Sequence, residues 1–152
     1  MMKGRDVDDL ERFVSAQAPV YSVVVGELAR GRKTSHWMWF IFPQLRSLGH
    51  SSMAIKYGLA SADEALAYWR HEVLGPRLRE CTSLVLSVEN KSALEIMGSP
   101  DDLKLRSCMT LFESVAAEES LFAQVLTKFY GGERDARSLA IRDRLPAVPR
   151  PP

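Results

Sequence analysis

The stretch LFAQVLTKFYGG, residues 121–132, decides the fold class. Leu121, Phe122, Val125, Leu126, Phe129 and Tyr130 recur at the three- and four-residue spacing that lines one side of an α-helix. Gly131-Gly132 then ends the helix, because glycine enters the left-handed conformation of a helix C-terminus without a Cβ penalty.

Working outward, the same grammar repeats. Ser99-Pro100-Asp101-Asp102 reads as a helix start, with Ser99 as cap, Pro100 in the first helical position and two carboxylates at the positive helix end. Leu105, Met109, Phe112 and Val115 follow on one stripe. Ser92 with Glu95 is a capping-box pair opening a very short helix that stops at Gly98. Before it, Pro76 suits the first turn of a helix carrying Leu78, Cys81, Val85 and Val88, which Asn90 is expected to end. Ser61 with Glu64 opens another helix, with Ala62, Leu66 and Trp69 on a shared face.

Nearer the start, Leu10, Phe13 and Val14 share a face over residues 8–17, and Pro19 breaks the chain. Val20, Tyr21, Val24, Val25, Leu28 and Ala29 then form a ten-residue stripe capped by Gly31. The β-branched Val23, Val24 and Val25 also suit a strand, but the stripe length and the ELAR ending favour a helix. Residues 32–50 crowd five aromatics or prolines into positions 37–43 without clean periodicity, and read as a short helix plus loop. A last helix is expected from about Asp135 to Arg144. The expectation is an all-α fold: a compact single-domain bundle of about seven to nine short helices over residues 7–145, with a Pro-rich, extended tail at 146–152.

Composition agrees. A chain of 152 residues, 46% hydrophobic and 26% charged, is long enough to bury a core without disulfides or metals. Twenty Lys and Arg against nineteen Asp and Glu leave a net charge of +1, so no global field attracts nucleic acid or anionic lipid, and any anion site must be local. The opening MMKGRDVDD lacks the apolar stretch of a secretory signal, and no run approaches the roughly 20 apolar residues of a membrane helix. A cytoplasmic protein is expected. Cys81 and Cys108 fall inside apolar helical patterns, and His36, His50 and His71 are scattered, so zinc-type spacing is absent. With no P-loop or dinucleotide fingerprint either, no cofactor is expected.

The segments GRKTSHWMWFIFPQLRSLGHSSMAIKYG, AYWRHEVLGPRL and GSPDDLKLRSCMTLF closely resemble a bacterial domain-of-unknown-function family, "eighteen-ten". The resemblance spans roughly residues 8–133 and implies a compact bundle of α-helices; the family's function is unassigned. Some members are labelled calpastatin, which conflicts with physics, since calpastatin is disordered and this composition is that of a packed core. One departure is His71-Glu72, where members often read His-Pro before the Val-Leu-Gly-Pro run.

Chemistry concentrates in two places. Lys33, His36, Trp37, Trp39 and Gln44 bring a cation, an imidazole, flat aromatic faces and an amide within a dozen residues. Such a set can hold a phosphate or carboxylate and stack on a ring. The weightier competing reading makes the aromatics of 37–42 core and His36 a cap. Lys104, Ser107 and Thr110 recur at i, i+3 on a second candidate helix and can face the first cluster. Asp101 and Asp102 are better read as helix-start residues than as an acid/base pair. A cysteine–histidine nucleophile has no signature around Cys81 or Cys108. His71, Arg77 and Arg79 near Gly75-Pro76 offer a second anion position, with a solvated basic face as the simpler account.

The leading expectation is therefore a binding domain for a small anionic, nucleotide-like ligand at the HWMWF segment, with Lys33, His36, Trp37, Trp39, Gln44, Lys104, Ser107 and Thr110 as site residues. The alternatives are a protein-interaction module or homo-oligomer docking through exposed apolar stripes, and a metal-independent hydrolase or transferase using His36 as base. The basic run ARGRKTSH offers too few phosphate contacts for nucleic-acid binding.

Overall fold

The computed structural model describes residues 9–144. The Pro-rich segment 146–152 and the outermost residues of the expected 7–145 unit lie outside that range. Ten α-helices follow one another: α1 (Glu11–Gln17), α2 (Tyr21–Ala29), α3 (Met38–Ile41), α4 (Ser52–Tyr57), α5 (Ala62–Arg70), α6 (Leu74–Leu86), α7 (Ala93–Met97), α8 (Asp101–Val115), α9 (Leu121–Tyr130) and α10 (Ala136–Arg144). A 3-10 turn spans Arg46–Leu48, and among the described residues the sole β-type pairing is an isolated bridge between Leu45 and Leu59. The all-α expectation holds, with more helices than the seven to nine expected because α4 carries too short a pattern to register. Ser51 starts it by accepting the Ala54 N–H.

Local signals act mostly as read. Ser92 and Glu95 form a full capping box, Gly98 ends α7 at φ +80°, and Gly131 ends α9 in the left-handed region at φ +60°. Three details differ. At α5, Ser61 accepts the Glu64 N–H, but the Glu64 carboxylate turns to the Ala60 N–H and to Arg12 rather than closing the box. At α8, Pro100 rather than Ser99 occupies the N-cap, and its carbonyl accepts the N–H groups of Leu103 and Lys104. Helix α6 stops at Leu86, four residues before Asn90, which takes a left-handed φ of 64° in the following loop.

The buried residues of α5 are Glu64, Ala65 and Tyr68, not Ala62, Leu66 and Trp69. A fully buried tyrosine needs a partner for its hydroxyl, and one is present: the Gln17 amide donates to Tyr68 Oη at 3.0 Å and to the Phe40 carbonyl at 2.7 Å. Arg77 in turn donates to Gln17 Oε1 at 3.2 Å. Trp69 is left at the rim, edge-on to Phe122 and beneath the Arg79 guanidinium.

The core runs through the molecule as a chain of aromatic rings. Phe13 of α1 meets Tyr68 of α5 edge-on at 5.0 Å, Tyr68 meets Phe112 of α8 at 5.5 Å, and Phe112 meets Phe122 of α9 at 5.9 Å. Helix α8 lies against α5, α7, α9 and α10. Its amino end comes out of this core beside the α2–α3 loop, and that meeting point builds the site.

Candidate functional site

The α2–α3 loop is shaped by Glu27, a residue the sequence reading passed over. Its side chain is buried, and five groups donate to it: the backbone and hydroxyl of Thr34, the backbone and hydroxyl of Ser35, and the Trp37 indole, at 2.5–3.1 Å. Burial by itself raises a carboxyl pKa, but these hydrogen bonds favour the ionised form more strongly and hold Glu27 at about 2. A second anchor comes from α7 and the residues before it: the Lys33 N–H donates to the Ile96 carbonyl at 2.8 Å, and Lys91 donates to the Gly31 carbonyl. The loop is thus fixed from both sides.

Between this loop, the start of α3, the end of α7 and the first turn of α8 lies a hollow of about 380 Å³. Met38, Trp39, Met97 and Pro100 give it apolar surface; Thr34, Ser35 and Ser99 give hydroxyls; Lys33, His36, Lys104 and Asp101 give charge or titratable groups. The two lysines differ in availability. Lys33, with a side chain only 6% exposed, places Nζ 2.8 Å from Asp101 Oδ2, donates to the Ser35 carbonyl at 2.7 Å and sits 4.9 Å from the Trp37 ring centroid. Lys104, 28% exposed, has Nζ 3.8 Å from Asp101 Oδ1 and 5.4 Å from the Trp39 ring centroid. Lys104 is thus the more exposed of the two lysines.

Four of the eight expected site residues line this hollow: Lys33, His36, Trp39 and Lys104. Gln44 lines an adjoining pocket of about 20 Å³, space for roughly one water, which shares Trp39 and Lys104 with the hollow. Trp37 does not line it; it is core, 1% exposed, with its indole committed to Glu27. Ser107 and Thr110 serve another junction. Ser107 donates to Asp135 Oδ2, and Thr110 Oγ1 accepts the Asp135 N–H, together fixing the entry to α10. The reason is helical drift: each i+3 step falls about 60° short of a full turn, so Thr110 lies about 120° around α8 from Lys104. Thr34, Ser35, Met38, Met97, Ser99 and Pro100 complete the lining with Asp101, which the sequence pattern marks as a helix-start residue.

His36 is exposed, and among the described residues no hydrogen bond or ion pair orients its ring as a general base requires. The cysteines are buried: burial pushes the Cys81 thiol up to about 12 and the Cys108 thiol well above its ordinary value, the reverse of an activated nucleophile. Among the described residues, no group of three or more His, Cys, Asp or Glu side chains is placed to hold a metal, and no helix is long and apolar enough to cross a membrane.

Comparison with known proteins places this architecture. The crystal structure of the conserved hypothetical protein Rv1873 from Mycobacterium tuberculosis is similar over 90% of this chain and 98% of its own, with 55% identity and a TM-score of 0.89. No curated protein matches the chain. The family model described as "Protein of unknown function (DUF1810)" matches residues 7–141, and the chain belongs to that family.

Proposed function

We propose that the protein is a cytosolic binding domain for a small anionic, nucleotide-like ligand, held in the hollow between the α2–α3 loop and the amino end of α8. The observation that carries this reading is the pairing of Lys104 with the Trp39 face on one concave surface. An ammonium beside an aromatic ring, with the Ser99 hydroxyl in the same lining, is the mixture that orients a phosphate and a flat ring together. The volume sits near the lower end of the roughly 300–1,000 Å³ common for ligand sites. A loop held by a buried carboxylate also keeps Lys33 and His36 in place before ligand arrives, which lowers the ordering cost of binding.

The docking alternative has the exposed side chains Val23, Ile55, Leu94 and Leu103 to draw on, but they lie on four separate helices. The test is a thermal-shift series with mononucleotides, sugar phosphates and inorganic phosphate. A ligand that binds only the native state raises its midpoint by mass action. The expected result is a concentration-dependent rise for nucleotides at millimolar levels that Lys104→Ala removes. A panel that leaves the midpoint unmoved up to 10-fold above that range, or a rise that Lys104→Ala leaves intact, rejects this site.

A further inference from the structure

Resting on that reading of the hollow, we infer that Asp101 is its specificity-determining residue, selecting a ligand with one phosphate and free sugar hydroxyls: a nucleoside monophosphate rather than a di- or triphosphate. The argument begins with charge. Two ammoniums, Lys33 and Lys104, face one carboxylate, Asp101, so the three groups leave a single positive charge in the hollow. Lys33 is consumed by its 2.8 Å pairing with Asp101 Oδ2. One phosphate can take Lys104; among the described lining residues a chain of phosphates finds no second lysine free of a carboxylate, and it brings further negative charge against Asp101.

Asp101 has a second property. Lys33 holds Oδ2, while Oδ1 accepts no hydrogen bond among the described residues, Lys104 Nζ standing 3.8 Å away, too far for one. An ionised carboxylate is an acceptor without donors of its own, so Oδ1 favours a ligand that supplies O–H or N–H groups. Paired sugar hydroxyls beside a phosphate meet that need, and the side chain is 19% exposed, so a ligand can reach it. Losing a hydroxyl would leave a desolvated carboxylate oxygen unpaired, which is how sites built to bind hydroxyls reject analogues lacking them. The Trp39 face tolerates any base, because every base has a flat π-surface.

The experiment is isothermal titration of the full chain with adenosine and uridine monophosphates, their triphosphates, the unphosphorylated nucleosides, and the 2′,3′-dideoxy monophosphates. The monophosphates are expected to bind at least 10-fold more tightly than the triphosphates, the nucleosides and the dideoxy analogues. Asp101→Asn should bring the triphosphates level with the monophosphates. Comparing the dideoxy and parent compounds on the unaltered chain keeps the test decisive if that variant folds poorly. Binding of triphosphates more tightly than monophosphates, or equal affinity for the dideoxy compounds, overturns the role of Asp101 while leaving the anion site standing. Absence of binding by every compound overturns both.

Discussion

At the scale of single residues, the most consequential side chain is Glu27. Five donors converge on a carboxylate that is 2% exposed, and together they fix the loop that carries Lys33 and His36. Glu27→Gln replaces a pure acceptor with an amide that must offer N–H groups to other donors, so stability at pH 7 should fall by about 2–4 kcal/mol. The pH dependence has a definite sign. A carboxyl lowered from 4.5 to about 2 contributes stability that is complete above the unfolded value and is lost as pH falls through the folded one. Urea unfolding at pH 7, 5 and 3 should therefore show the gap between wild type and Glu27→Gln closing toward low pH, by about 2 kcal/mol between pH 7 and pH 3. Parallel stability curves would contradict the anchoring role. The sequence held a clue to this residue: Glu27 lies three positions after Val24 and just before Leu28, inside a buried stripe. A carboxylate there must have donors, but which segment supplies them is a tertiary fact that helical periodicity does not contain. For the same reason Lys33, His36, Trp39 and Lys104 could be named as chemistry, while the turn of α8 on which Ser107 and Thr110 face α10 could not.

At the scale of elements, boundaries written in caps and glycines were legible, because those signals act through the backbone of neighbouring residues. The capping box of α7 and the left-handed end of α9 formed as read. What failed were faces, short turns and two boundary signals: Pro100 rather than Ser99 caps α8, and α6 ends at Leu86 rather than at Asn90. Tyr68 took the inner face of α5 because Gln17 and the Phe40 carbonyl, on other elements, satisfy its hydroxyl. Helix α4 has only six residues, too few for a periodic pattern to emerge. Two glycines allow the roles of packing and backbone conformation to be separated. A Cβ at Gly75, where α6 leaves α5, would stand 2.2 Å from the Trp69 carbonyl oxygen, and since that atom is backbone the two helices would have to part. At Gly131 a Cβ meets nothing within 4 Å, and the cost is only that of a left-handed φ of +60°. Gly75→Ala should lose at least about 3 kcal/mol and Gly131→Ala about 1 kcal/mol, measured from urea midpoints at constant slope. The reverse order would show that α5 and α6 are not held at this separation.

At the scale of the whole molecule, the ring-to-ring path Phe13, Tyr68, Phe112, Phe122 ties α1, α5, α8 and α9 into one interior, and both thiols lie in it. Cys81 of α6 is 1% exposed and its Sγ faces the Tyr21 hydroxyl at 3.8 Å; Cys108 of α8 is 0% exposed. Burial also disfavours both thiolates, so reaction with a disulfide reagent near pH 8 requires the core to open. If the interior opens as one cooperative unit, the two cysteines report the same event and must label together. Their opening free energy should then equal the global value from urea unfolding. Mass spectrometry of 5,5′-dithiobis(2-nitrobenzoate) adducts over time should pass from unmodified to doubly modified chain with little singly modified species, and Gly75→Ala should accelerate both sites by the same factor. Accumulation of chain labelled at Cys81 alone would instead mean that α6 separates from α8 and α9 before the rest of the core gives way.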